Sequence, residues 1–179
     1  MKKALLIVDM SYDFVADDGG LTVGKPAREI VPYIIEQANQ FLNAEDLVVV
    51  TMDAHQPNDE HFKLWKPHNV IGTRGQELYG ELKQWFENNK LNKNVHYVPK
   101  TNYNAFFKTD LANTLRENGV TEVHVVGVAT DICDYLTVAG ADAEGFKTAV
   151  HRQGVATFTD KQEAALEQMK LVFQTKIEE

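Results

Sequence analysis

The stretch Val123–Leu136, VHVVGVATDICDYL, decides how the whole chain is read. Val123 to Val128 (VHVVGV) is mostly β-branched and runs on without polar alternation, the pattern of a strand buried on both faces in a sheet covered by helices on either side. Small residues follow, and from about Ile132 to Glu144 the pattern predicts a helix, stopped by Gly145. A strand that turns tightly into a helix is the repeating unit of α/β folds, and enzymes often hold a nucleophile at that junction. Here the junction contains Cys133, the only cysteine in the chain.

The same pattern recurs on both sides. Ala4 to Val8 (ALLIV), Leu47 to Thr51 (LVVVT), Val95 to Val98 and Lys147 to Val150 read as further buried strands. Between them lie amphipathic segments at helical spacing: Ala27 to Leu42, Gln76 to Asn88, and Thr109 to Asn118 closed by Gly119. A last helix is expected from Lys161 to about Phe173, capped by Thr159 or Asp160, with the tail QTKIEE as a short edge strand. Strand and helix alternate throughout. The expected architecture is therefore α/β, a three-layer α/β/α sandwich around a mainly parallel, Rossmann-like sheet of five to six strands. With 179 residues, 44% of them hydrophobic, residues 1–179 are expected to form one domain, burying about 70% of the unfolded surface.

Composition narrows the function. A net charge of −8 with scattered basic residues argues against nucleic acid and anionic membranes as partners. No apolar run approaches the roughly 20 residues of a membrane span, and MKKALLIVDMSYDF reaches Asp9 too soon for a signal peptide. The expectation is a cytoplasmic protein acting on a small molecule. A lone cysteine cannot form an internal disulfide, which fits a reducing compartment and leaves the thiol free.

In sheets of this kind ligands bind beyond the carboxyl ends of the strands. Asp9, Lys100 and Cys133 all fall at such ends. A thiol with a pKa near 8.5 is a poor attacker at neutral pH. A helix start and an ammonium favour the thiolate, and a neighbouring carboxylate can take the proton. Each residue alone has a plainer reading: a small core side chain, a turn-capping carboxylate, a solvated lysine. Their shared rim is what points to catalysis.

The stretch Asp53–Thr73 is a long loop with little regular pattern, and such loops are commonly functional. It carries Asp53, His55, His61 and His68 in TMDAHQPNDEHFKLWKPHN. Asp53 and His55, two apart on extended chain, point the same way. Carboxylate with imidazole suits a divalent transition metal such as Zn, Fe or Mn. Glu60, beside His61, is the rival for the third position.

Four motifs in order resemble the nicotinamidases of the isochorismatase-like cysteine hydrolases, over nearly the whole chain. They are D-x-x-x-D-F (Asp9, Asp13, Phe14), D-x-H with a further His and P-H (Asp53, His55, His61, His68), K-x-x-Y-x-A-F (Lys100 to Phe106), and G-V-x-T-D-I-C (Gly127 to Cys133). The resemblance implies that Cys133 attacks the nicotinamide carboxamide, Asp9 moves the thiol proton to departing ammonia, and Lys100 stabilises the charges around them. It also implies an oxyanion hole from the amides of Ala129 and Cys133, with a cis peptide before Ala129. One metal on Asp53, His55, His61 and His68 would contact the pyridine nitrogen, and Phe14, Trp65 and Tyr103 would line the pocket. Pyrazinamide is implied as a second substrate, and a homo-oligomer as the assembly. Relatives acting on carbamoyl, ureido or enol-ether substrates share the Asp, Lys and Cys but generally lack the D-x-H and P-H ligands. A silent binding protein would not need to keep the three groups. Asp134 departs from the apolar residue usual after the nucleophile, and is expected to point away, into solvent or a subunit contact.

Overall fold

Six strands form one sheet in the computed structural model, which describes residues 1–179. They are β1 (Lys2–Val8), β2 (Leu47–Asp53), β3 (Val95–Lys100), β4 (Val120–Val128), β5 (Lys147–Ala156) and β6 (Lys176–Glu178). Their order is β3-β2-β1-β4-β5-β6, and every neighbouring pair is parallel, so the sheet is fully rather than mainly parallel. The tail forms the expected short edge strand. No helix is long and apolar enough to cross a membrane.

The sheet explains its own sequence. Leu5 and Ile7 of β1 join Val48 and Val50 in one apolar core, whereas Ala4, Leu6 and Val8 join Leu47 and Val49 in another on the opposite face. Successive side chains point to opposite faces, so a strand with a core on each side must be apolar at every position. The first core is closed by α1 (Tyr12–Val15), α2 (Lys25–Glu29), α3 (Val31–Asn43) and α4 (Gly80–Asn89), through residues such as Ile34, Phe41, Leu82 and Trp85. The second is closed by α5 (Leu111–Glu117), α6 (Tyr135–Ala143) and α7 (Gln162–Phe173), through Leu115, Val138, Leu166 and Met169. Each large apolar side chain so buried contributes roughly 1.5–3 kcal/mol.

The helices differ from expectation in four places. The segment 27–42 is two helices, because Pro26 and Pro32 each sit in a first turn, where a missing N–H costs nothing. Residues 74–76 form a separate 3₁₀ turn, and α4 begins at Gly80. The cap position of α7 is Lys161, not Thr159 or Asp160. The four-residue α1, capped by Ser11 accepting from Phe14 N, is too short to leave a periodic trace. Gly119 and Gly145 end their helices as predicted, both at positive φ.

One glycine is dictated by close approach. A Cβ at Gly127, whose φ is 127°, would lie 2.0 Å from the Val8 carbonyl oxygen. Only glycine lets β4 lie against the end of β1 there. Away from that rim a hydrogen-bonded row links Glu122, His124, His151 and Tyr33. His124 Nε2 lies 2.7 Å from Glu122 Oε1, His124 Nδ1 2.8 Å from His151 Nε2, and His151 Nδ1 3.0 Å from Tyr33 OH. Burial, helped by His124, pushes His151 down to about 4, so its ring is neutral near pH 7.

Candidate active site

The carboxyl ends of β1, β2 and β3 bring three charged side chains together out of water. Asp9 leaves β1 with a left-handed φ of 54°, a conformation aspartate tolerates better than most side chains. Its N–H donates to Thr51 O at 2.9 Å, and its Oδ1 accepts from Asp53 N at 2.8 Å. Lys100 ends β3 and is only 1% exposed, which removes the solvated-lysine reading. Its Nζ lies 2.8 Å from Asp9 Oδ2, donates to Asp53 Oδ1 at 2.5 Å, and donates to Asn102 O at 3.0 Å. Cys133 is buried in a π-helical turn, Thr130–Asp134, between β4 and α6. The peptide between Val128 and Ala129, just before that turn, is cis as expected.

The two carboxylates are pushed in opposite directions. Burial works to raise Asp53, but the Lys100 ammonium overrules it, with the neighbouring His55 and His68 rings acting the same way, and holds the carboxyl well below its usual range. Burial and the neighbouring Asp53 charge raise Asp9, against Lys100. Such splitting separates a permanently ionised group from one able to carry a proton. Lys100 is desolvated, yet Asp53 and Asp9 keep it charged, well above its ordinary value. Burial raises the Cys133 thiol well above normal despite Lys100, and the Asp9 charge adds to that. Desolvation thus outweighs the ammonium, and the resting sulfur is a neutral thiol. Asp9 Oδ2 has no aligned hydrogen-bond donor although Lys100 is close, so it keeps acceptor capacity for the thiol proton.

The histidine-rich loop folds back onto the end of β2. A parallel bridge pairs His55 with Val70, and nitrogen atoms of His55, His61 and His68 lie within 4.8 Å of one another. Both buried rings are oriented from behind. His55 Nδ1 is 2.8 Å from Asp59 Oδ2, and His68 Nδ1 is 2.6 Å from the Lys66 carbonyl, so each presents Nε2 to the cluster. Asp53 Oδ2 is 3.4 Å from His55 Nε2 and 3.5 Å from His68 Nε2. His55 Nε2 is buried without a hydrogen-bond partner, which is what a metal ligand shows and what a packed histidine avoids. The donor set fits a divalent transition metal. Glu60, whose side chain is 81% exposed and paired with Lys63, faces away from this cluster.

Between the thiol and the imidazoles lies a cleft of about 430 Å³, open solvent at its mouth included. Phe14, Trp65 and Tyr103 line it, together with Ala129, Asp53, His61, His68 and Cys133. Trp65 Nε1 donates to Tyr103 OH at 2.9 Å, fixing two of the aromatic walls.

Several contributors escaped sequence reasoning. Leu21, Val23 and Phe158 also line the cleft but lie in segments without pattern, whereas Ile132, also in the lining, stands inside the G-V-x-T-D-I-C motif beside the cysteine that drew the reading. Asp59 sits four residues after His55, and that spacing was a usable signal. Asp13 accepts from Gly20 N at 2.9 Å and Asn69 N at 2.8 Å, tying α1 to the histidine loop. Asp134 contradicts expectation outright. It is fully buried with both carboxylate oxygens unpartnered, because it begins the inward face that α6 continues through Thr137, Val138 and Ala141.

Residues 3–178 match the isochorismatase domain family. The chain belongs to the isochorismatase family. It is 42% identical over 164 residues, 90% of each chain, to the isochorismatase family protein PncA of Bacillus subtilis strain 168, itself described as uncharacterized. A crystal structure of nicotinamidase/pyrazinamidase PncA from Bacillus subtilis superimposes with a TM-score of 0.97, at 40% identity and 100% coverage of both chains. The pyrazinamidase of Pyrococcus horikoshii, solved in complex with zinc, gives a TM-score of 0.87 at 32% identity, covering 99% of this chain and 98% of that one. This isochorismatase-family chain therefore shares its fold, end to end, with proteins named as carboxamide hydrolases.

Proposed function

We propose that this protein is a cytoplasmic, metal-dependent amidohydrolase that converts nicotinamide to nicotinate and ammonia, with pyrazinamide as a second substrate. The observation that carries the reading is the pairing of a buried Asp9–Lys100–Cys133 group with three convergent imidazoles across one aromatic-lined cleft. A nucleophile at one wall and nitrogen ligands at the other match a short, flat molecule with a carboxamide at one edge and a ring nitrogen at another. Similarity to chains named nicotinamidase or pyrazinamidase supports it independently.

In this mechanism Asp9 takes the Cys133 proton as sulfur bonds to the carboxamide carbon. Proton transfer during attack suits a thiol that burial keeps neutral. The amides of Ala129, just before the π turn, and of Cys133, within it, serve the developing oxyanion in this reading, where preorganised donors are most effective. Lys100 remains charged and compensates the negative charge gathered there. Asp9 returns its proton to the leaving nitrogen, the C–N bond breaks and ammonia departs. Water, deprotonated by Asp9, then cleaves the thioester to nicotinate and restores the thiol. His55, His61 and His68 with Asp53 would hold a divalent metal, which when bound supplies an electrophilic contact for the pyridine nitrogen.

The test is ammonia release from nicotinamide by protein supplied with Zn, Mn or Fe; no release refutes the amidase reading. Cys133→Ala should abolish turnover while nicotinate still binds. Appreciable residual turnover removes Cys133 as the nucleophile.

A further inference from the structure

Phe158 stands out among the residues lining the cleft. It lies two residues past the end of β5 and borders the same space as Cys133, yet it is 51% exposed. Its ring is thus both part of the cleft lining and open to water, where an entering molecule can meet it. Its position is fixed from both sides by a single carboxylate. Thr157 Oγ1 donates to Asp131 Oδ1 and Thr159 Oγ1 donates to Asp131 Oδ2, each at 2.6 Å. Thr159 N also donates to Thr157 Oγ1 at 3.3 Å, and Thr130 Oγ1 donates to Gln162 Oε1 at 3.2 Å. Short bonds to an ionised acceptor are the strong kind.

Asp131 lies two residues before Cys133 in the π turn. Both oxygens of its carboxylate grip the residues on either side of Phe158. The segment that carries Phe158 is therefore tied to the turn that carries the sulfur. We propose that Phe158 is a specificity-determining residue that screens the ring of the substrate by size, and that Asp131, through Thr157 and Thr159, is the positioning residue that holds it. The inference rests on the carboxamide hydrolase reading. A carboxamide that reaches Cys133 leaves the far edge of its ring toward the mouth. A single six-membered ring passes Phe158, whereas a benzo-fused carboxamide meets the phenyl group.

The probes are nicotinamide and quinoline-3-carboxamide for turnover, and nicotinate and quinoline-3-carboxylate for binding followed by intrinsic tryptophan fluorescence. Phe158→Ala should raise the quinoline-to-nicotinamide ratio of kcat/KM by about ten-fold or more, the scale of discrimination one apolar contact supplies. The change should be carried by KM rather than kcat. Thr159→Val should shift the ratio in the same direction, Thr159→Ser should restore the wild-type ratio, and Phe158→Ala with Thr159→Val should be no more permissive than Phe158→Ala alone. An unchanged ratio in Phe158→Ala overturns the screen. A Thr159→Ser protein as permissive as Thr159→Val, or additive effects in the double variant, overturns the role of Asp131. If the wild type releases no ammonia from nicotinamide, the amidase reading fails alone, because the binding ratios of the two acids still decide the role of Phe158.

Discussion

Replacing Asp134 by valine should stabilise this protein, and the gain should grow with pH. Asp134 is fully buried, and neither carboxylate oxygen has a partner. Burial raises its pKa well above the ordinary value, the Asp9 charge pushes the same way and Lys100 opposes it, with Asp131 adding to the rise. The folded chain therefore keeps this carboxyl protonated where the unfolded chain, with its aspartate ionising near pH 3.9, has lost the proton. A polar group buried without a partner costs about 1–3 kcal/mol, which valine removes. The proton adds a second contribution. The folded state binds more protons than the unfolded state, so the Asp134 contribution to stability falls as pH rises from about 4 toward the raised folded value, by up to about 1.4 kcal/mol per pH unit. Urea unfolding of both proteins between about pH 4 and pH 7 should show a gap already favouring valine at the acid end and widening above it. Thermal midpoints should rise by about 2–4 °C for each kcal/mol in a chain of this size. A destabilised valine variant, or a gap that does not change with pH, would refute the reasoning, because it would mean that the carboxylate has partners or is ionised in the folded state.

Three further outcomes follow from the same geometry. Lys100→Met leaves Asp9 and Asp53 buried without their cation, so it should lose about 3–5 kcal/mol in urea unfolding besides losing activity; wild-type stability would contradict the ion pairing. Wild-type protein should retain about one divalent metal per chain through dialysis, whereas His55→Ala should retain none by elemental analysis; stoichiometric metal in the variant would mean that the site lies elsewhere. With His151 neutral in the fold down to about pH 4, the unfolded chain takes up a proton below about pH 6.5 that the folded chain refuses, so stability should fall as pH drops through that window, by about 3 kcal/mol. His151→Phe should flatten this acid limb relative to wild type, and an equally steep limb would exclude His151 as its source.

The central strands β1, β2 and β4 were legible because a strand with cores on both faces leaves no ambiguity of pattern, whereas β3 is an edge strand with Tyr97 and Pro99 exposed rather than the fully buried strand expected. Pro26 and Pro32 made the split between α2 and α3 visible too, had they been weighed against the run of apolar residues around them. Asp9, Lys100 and Cys133 could be placed at strand ends, but the burial of Lys100 depends on two carboxylates from different strands, and no local pattern reports that. For Asp134 chemistry alone points to water, because a carboxylate beside a thiol is costly to bury, but its spacing from Thr137 and Val138 puts it on the inward face of α6. Phe158 and its clamp involve residues 131, 157 and 159, brought together only by the pairing of β4 with β5.

The strand order also governs how the Asp9–Lys100–Cys133 group can come into being. With β1 between β2 and β4, Asp9 meets Lys100 and Cys133 only after both central pairings and the β2–β3 pairing have formed. Each joins segments far apart in the chain, the slowest kind of contact to close. No fragment holds part of the centre in working order, and a collapsed chain with native helices has none of it. On refolding, hydrolysis should therefore appear only once these three pairings have formed, well after helical signal is regained, making it a clock for assembly of the β3-β2-β1-β4 part of the sheet.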